Sequence, residues 1–173
     1  MLYLLVRKFR PEIVIETGVA RGISSVYVLL AMQQNGTGQL YSTDFPAQVV
    51  AVEDDSDRES FRYKLADGQT HKHYEVGHVV PESLKGRWTL ILEDARKALP
   101  ELMEKLQMID FFYHDSLHSH DHMKFEFETA WPHLKEGGLL LSDDVLWNNA
   151  FHEICKLYDK KPIIYRSFGM VQK

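Results

Sequence analysis

Ile13-Val14-Ile15-Glu16-Thr17-Gly18-Val19-Ala20-Arg21-Gly22 is a short apolar run that closes on an acid, a hydroxyl and two glycines four residues apart. The apolar run over 13–17 reads as a buried parallel strand. Gly18 allows a tight turn, and Gly22 lets the next element start close to the strand. Residues 23–34 then carry Ile, Val, Val, Leu, Leu and Met at helical spacing, and Gly36 and Gly38 stop that helix. A strand, a glycine turn and a helix start make a place where a ligand meets backbone. The spacing is G-x-x-x-G. A dinucleotide fingerprint would read G-x-G-x-x-G and set a pyrophosphate on the helix start. Ala20 stands at the middle glycine position, and Glu16 precedes the first glycine. An acid there disfavours a pyrophosphate and favours a cationic or hydroxyl-bearing ligand.

Outward from this turn the same alternation repeats. Gln39 to Thr43 is a second strand ending at Asp44. Pro81 to Gly86 is a short helix, and Trp88 to Leu92 a third strand ending in Glu93-Asp94. Residues 95–107 are helical, with Leu99, Leu102, Met103 and Leu106 on one face. Ile109 to His114 is a fourth strand ending at Asp115. Residues 120–134 are helical and are ended by Gly137-Gly138; Leu139 to Ser142 is a fifth strand ending at Asp143-Asp144. A helix near 148–158 follows, then a closing hairpin from 163–165 and 168–171. Five strand-helix repeats predict an α/β domain with a doubly wound, mostly parallel sheet and an antiparallel C-terminal hairpin. Residues 46–78 break the pattern, with Asp54-Asp55-Ser56-Asp57, three histidines and no clean period. Such a stretch inside a compact domain is expected to be an irregular insertion or lid.

Bulk properties narrow the class. A chain of 173 residues suits one domain spanning 1–173. Its 45% hydrophobic and 26% charged content is that of an ordinary soluble protein. A net charge of -5 argues against a nucleic-acid partner, which would need a basic face. Cys155 is the single cysteine, so no internal disulfide forms and a reducing, cytoplasmic setting is the simplest inference. Met1 to Val6 is apolar but stops at Arg7-Lys8, too short for a membrane span; it reads as the end of a helix packing on the first strand.

The acids fall at the strand ends: Glu16, Asp44, Asp94, Asp115, and Asp143 with Asp144. In an open α/β sheet the ligand lies outside the carboxyl ends of the strands. Repulsion among these acids calls for hydroxyl donors, a metal ion or a cationic ligand. The plainer alternative is that an Asp at a strand end caps the next helix. Asp44, after the second strand, suits the two hydroxyls of a ribose.

At this point the sequence resembles the class I S-adenosylmethionine-dependent methyltransferases, from about Pro11 to Gln172. More narrowly it is similar to macrocin-type sugar O-methyltransferases and, more distantly, to catechol O-methyltransferase. Three stretches carry the likeness: Ile15 to Ser24, Val80 to Ala95, and Ile109 to Ser119 continued by Leu134 to Asp144. The resemblance implies a Rossmann-like fold with a seven-stranded sheet. It implies that the Glu16–Gly22 turn holds the methionine part of the cofactor, that Asp44 binds the ribose, and that Asp94 and Ala95 border the adenine. Cofactor contacts are expected from Glu16, Thr17, Gly18, Gly22, Ser24, Asp44, Asp94, Ala95 and Asp115. Related sequences show Gly-Asp-Ser where this one has Glu93-Asp94-Ala95, so Glu93 is expected to add bulk and charge beside the adenine pocket. Similar domains often carry more helix at the front, so the chain reads as a trimmed version. A homodimer formed through the missing region is one expectation.

Asp115, Asp143 and Asp144 fall where metal-dependent relatives place three metal-binding side chains. Hard oxygen ligands from adjacent strand ends suit Mg²⁺, which would lower the pKa of an attacking hydroxyl. The alternative has Asp143 capping a helix and Asp115 meeting Ser116 or a histidine. His118, three residues after Asp115, is a candidate general base, and Asp115 is the other candidate catalytic residue; the alternative for His118 is a surface histidine or one that only supports a neighbouring site residue. Zn²⁺ held by the histidines near 114–122 fits no standard spacing. Trp147 and Asn148 are placed to wall an acceptor pocket, Trp131 to lie in the core, and Cys155 to be a buried small hydrophobe. The expected function is methylation of a small-molecule hydroxyl, sugar-like or diol-like. The open alternatives are a nucleotide-dependent oxidoreductase and a non-catalytic module that retains the fold.

Overall fold

The computed structural model describes residues 1–45 and 75–173, together with the backbone of 60–64 and 70–74. In chain order the elements are α1 (Leu2–Phe9), β1 (Ile13–Thr17), α2 (Ile23–Asn35), β2 (Gln39–Asp44), β3 (Ser60–Lys64), β4 (Thr70–Tyr74), α3 (Glu82–Lys85), β5 (Trp88–Leu92), α4 (Ala95–Leu106), β6 (Ile109–His114), α5 (His120–Ala130), β7 (Leu134–Ser142), α6 (Ala150–Leu157), β8 (Ile163–Tyr165) and β9 (Phe168–Gln172). A short 3-10 turn, Trp131–His133, joins α5 to β7. The main sheet has seven strands in the order β5-β2-β1-β6-β7-β9-β8. Its first five pair in parallel. β9 then inserts antiparallel between β7 and β8. This is the mostly parallel α/β sheet with a C-terminal antiparallel hairpin that the residue pattern predicts, and the Rossmann-like seven-stranded form that the resemblance implies. No helix among the described residues is long and apolar enough to cross a membrane.

The pleat of the parallel strands sorts side chains onto two faces. Val14, Phe111, Tyr113, Leu139 and Leu141 join Val28, Leu29 and Met32 of α2 and Leu5 and Val6 of α1 on one face. Ile15, Phe112 and Leu140 pack on the other with Leu99 of α4, Met123 and Phe127 of α5, and Phe151 of α6. Truncating a side chain as deeply buried as Phe112 to Ala costs about 3–5 kcal/mol. Trp131 and Cys155 are buried in this second core, and burial pushes the Cys155 thiol up to about 11. The same alternation carries on to the strand ends. It turns Glu16 toward α2, and Thr17 and His114 toward α5.

Two segments differ from the sequence reading. Residues 60–64 and 70–74, read as irregular, pair as an antiparallel ladder outside the main sheet. Residues 46–59 and 65–69 of the expected lid lie outside the described residues. β7 begins at Leu134, not at Leu139. Gly137-Gly138 do not end an element there. The register shifts between Ile109 and Phe111 on the partner strand, and a Cβ on Gly138 would meet the Asp110 carbonyl oxygen at 2.7 Å. The glycines let the strand run through a bulge.

Candidate active site

The strand order turns back between β1 and β6, where crossovers leave toward opposite sides, and a crevice opens above such a point. Here it is a cavity of about 470 Å³ lined by Gly18, Ala20, Thr43, Asp44, Phe45, Asp94, Ala95, Arg96, Asp115, Ser116, Leu117 and His122. Residues at or just beyond the ends of four parallel strands contribute. Of the expected cofactor residues, Gly18, Asp44, Asp94, Ala95 and Asp115 line this space. Glu16, Thr17, Gly22 and Ser24 do not; they build what lies beneath and behind it.

Gly18 sits at φ 82°, and a Cβ there would fall 2.0 Å from the carbonyl oxygen of Asp115. The first turn therefore lies directly on the end of β6, and the Asp115 N–H donates to the Thr17 carbonyl (2.8 Å). Gly22 (φ 94°) precedes α2 and presses against Val80 and Gly77. The end of the variable segment docks here too, with Gly77 N–H donating to the Ala20 carbonyl (2.9 Å). Ala20 is held in the left-handed region at φ 48°, a conformation that costs a non-glycine residue about 1–2 kcal/mol. Asp44 offsets this strain. Its Oδ2 accepts the N–H groups of Val19 and Ala20, both at 2.7 Å.

Asp94 fills both roles weighed for it. It caps α4 by accepting the Arg96 N–H (2.8 Å), and it lines the cavity. Glu93 does not crowd the pocket as the sequence suggested. Its carboxylate turns to Lys97 (2.7 Å), a pairing that α-helical geometry offers for free one turn on.

Glu16 is fully buried, with Oε2 accepting the hydroxyls of Ser25 (2.6 Å) and Ser42 (2.7 Å) and Oε1 without a partner among the described residues. Burial raises its pKa against the pull of the serine hydroxyls. On the opposite face lies a group the sequence reading missed. Glu126, also fully buried, accepts from Thr17, His114, Ser116 and His122. A signal for it existed: Met123, Glu126, Phe127 and Ala130 form an i, i+3, i+4, i+7 stripe, and an acid inside an apolar stripe needs an interior reason.

Asp115, His118, Asp143 and Asp144 gather along the neighbouring edge. The Tyr113 hydroxyl donates to Asp115 (3.0 Å). Burial pushes the Asp115 carboxyl up to about 6; the Tyr113 hydrogen bond opposes this and the charge of Asp143 adds to it. Burial, then the neighbouring His114, lowers the His118 pKa, with Asp144 and Asp143 pulling the other way. His118 Nε2 stands 3.8 Å from Asp115 and 3.9 Å from Asp144, beyond hydrogen-bond reach, and is itself buried without a hydrogen-bond partner among the described residues. Asn148 clamps the His118 carbonyl (3.1 Å), and the exposed Trp147 leans on the His118 ring at 5.2 Å.

The expected Mg²⁺ triad is not arranged as one. Asp143 Oδ1 accepts from the Asp144 N–H (3.0 Å) and from Ser167 (3.2 Å), and Asp115 is engaged with Tyr113. No group of three or more His, Cys, Asp or Glu among the described residues is disposed to hold a metal ion. Asp115 and Asp144 both approach His118 Nε2, and the three carboxylates do not form a ligand group that fits the ion.

A family model described as a methyltransferase domain matches residues 15–145. No curated protein sequence matches the chain. Several solved structures superpose on nearly all of it. The calicheamicin methyltransferase CalS11 has 18% identity and a TM-score of 0.63, over 99% of this chain and 75% of its own. An O-methyltransferase from Bacillus cereus in complex with SAH has 15% identity and a TM-score of 0.63, over 99% and 79%. The SAH-bound methyltransferase PaMTH1 of Podospora anserina has 12% identity and a TM-score of 0.62, over 99% and 75%. At these identities the likeness speaks for the fold alone.

Proposed function

This chain belongs to the methyltransferase domain family, and from that premise we propose that it methylates a hydroxyl of a small-molecule acceptor. The family decides the reaction class: methyl transfer from S-adenosylmethionine, not nicotinamide chemistry, and an enzyme, not a bare scaffold. The observation that carries the site assignment is the cavity at the switch point, bordered by Gly18, Asp44, Asp94, Ala95 and Asp115.

The bound cofactor supplies a methyl group on a positively charged sulfur. Around it each residue has a role that its geometry supports. Gly18 lets the turn and the end of β6 close to contact. Asp44 stiffens that turn with one carboxylate oxygen and leaves the other for ribose hydroxyls. Asp94 and Ala95 border the adenine. The carboxylates along this edge favour a cationic centre over a phosphate.

The acceptor hydroxyl attacks the methyl carbon in line, the carbon–sulfur bond breaks, and the hydroxyl proton must go to a base. Asp115 is the better placed of the two candidates. Its side chain is 33% exposed and lines the cavity, and its raised pKa suits proton uptake near neutrality. His118 is 14% exposed with Nε2 shut in, so it backs Asp115 and does not face the acceptor. Leu117 lines the cavity, the exposed Trp147 leans on the His118 ring, and the two offer an apolar rest for the body of the acceptor. The similar Bacillus cereus protein is an O-methyltransferase, which favours oxygen as the atom methylated. No step here runs through a metal ion. The lone buried thiol accords with a reducing, cytoplasmic location.

The test is ligand-induced stabilisation. S-adenosylhomocysteine at a hundred times its Kd should stabilise the fold by about 2.7 kcal/mol, seen as a rise in Tm. No rise with either S-adenosylmethionine or S-adenosylhomocysteine would sink the assignment of this cavity.

A further inference from the structure

We propose that Glu126 is a positioning residue of this site, a buried carboxylate that fixes the cavity wall to the cofactor turn. The inference rests on the reading of the cavity as the cofactor site. Glu126 lies on α5 with no exposed surface. Its Oε2 accepts from the Thr17 hydroxyl (2.6 Å) and from His114 Nδ1 (2.6 Å). Its Oε1 accepts from the Ser116 hydroxyl (2.8 Å) and from His122 Nε2 (2.8 Å). Two of these partners, His114 and Ser116, are the chain neighbours of Asp115. A third, Thr17, immediately precedes Gly18. Ser116 and His122 line the cavity themselves.

The chemistry of the group makes these contacts directional. An ionised carboxylate has only lone pairs, so all four partners must donate. Burial pushes the carboxyl up, but the hydrogen bonds from His114 and His122 outweigh it and hold it at about 2. Its charge therefore dictates which ring nitrogen carries the proton: Nδ1 in His114 and Nε2 in His122. Asp115 is held from both sides by residues fastened to one point, and that point is also fastened to the turn that receives the cofactor. Charge-assisted bonds of this length are short and stiff. A shift of Glu126 would move the turn, the base and the cavity wall together.

The experiment compares wild-type protein with Glu126→Gln and Ser116→Ala. S-adenosylhomocysteine binding is measured by calorimetry well below each melting temperature. Proton positions on the histidine rings are read by ¹⁵N NMR. Wild-type protein should show His114 protonated at Nδ1 and His122 at Nε2. In Glu126→Gln one arm of the side chain becomes a donor, so the histidine facing it must accept and move its proton to the other nitrogen. The affinity for S-adenosylhomocysteine should fall about tenfold in that variant and about threefold to fivefold in Ser116→Ala, which loses one of the four bonds and keeps the carboxylate. Should Glu126→Gln fail to fold, Ser116→Ala and the wild-type ring spectrum decide. Wild-type affinity in the folded variants, whatever their Tm, overturns the proposal, because a carboxylate that only fills space would lower stability alone. So does wild-type His114 lacking a proton on Nδ1. Wild-type protein that binds no S-adenosylhomocysteine overturns the cofactor reading itself, and is seen before any variant is made.

Discussion

Glu16 and Glu126 lie fully buried beneath the same cavity, on opposite faces of the sheet, and their surroundings treat them in opposite ways. Glu16 faces α2 and has serine hydroxyls for company, with one oxygen lacking a hydrogen-bond partner among the described residues. Its pKa is raised. Glu126 faces the end of β1 from α5 and has two hydroxyls and two imidazoles, a pair on each oxygen. Its pKa is about 2. Burial is complete in both, so burial cannot be the variable that separates them. The number and kind of donors is.

The contrast can be broken most directly by mutation. Glu126→Ala leaves two ring N–H groups and two hydroxyls in a dry hole, and urea denaturation should show a loss of about 3–5 kcal/mol. Glu16→Gln should stay within about 1 kcal/mol of wild type, because serine hydroxyls swivel from donor to acceptor. Equal losses at the two sites would end the comparison.

Acid sharpens it, because the two signs differ. The folded pKa of Glu126 lies below the ordinary 4.5, so its stabilisation is complete above pH 4.5 and drains away as the pH falls toward 2. The folded pKa of Glu16 lies above 4.5, so acidification through that raised value relieves a penalty. Melting curves against pH should show the deficit of Glu126→Gln shrinking below pH 4.5, and Glu16→Gln missing the gain that wild type makes above it.

Asp115 extends the contrast into the cavity. Its carboxyl, at about 6, is held off its ordinary 3.8 chiefly by burial. Between those values the folded protein binds more protons than the unfolded chain, so the stability owed to this group falls as the pH rises through 6. Asp115→Asn should melt a few degrees higher than wild type at pH 7, lose that dependence, and lose methyl transfer. A variant that melts lower at pH 7 would count against the raised pKa. The smallest effect belongs to the exposed reference pair. Lys97→Ala breaks the contact with Glu93 and should leave both Tm and S-adenosylhomocysteine affinity at the wild-type level.

The parallel strands were legible because each is a short apolar run ending in an acid, and the helices between them because their apolar residues recur at helical spacing. The glycine turn and the acids that line the cavity came with them. What escaped depends on contacts that no local pattern records. Gly137-Gly138 look like a break, and only the shifted register beside Asp110 shows a strand running on. Glu93 looked like an intruder until its neighbour one helical turn away claimed it. Asp115, Asp143 and Asp144 have the right types and order for an ion, but Asp115 is engaged by Tyr113, and Asp143 by Ser167 and a backbone N–H. Glu126 is one acid among several in a polar-looking helix, and its four donors come from three separate segments.

Gly18 leaves no room even for a methyl group between the first turn and the carbonyl of Asp115. In evolutionary terms that makes the site half locked. Substitution cannot tune the floor where turn and strand end touch without prying the sheet apart. If the acceptor rests where we propose, drift in what is accepted falls to the exposed side chains of Leu117 and Trp147, which are free to change size.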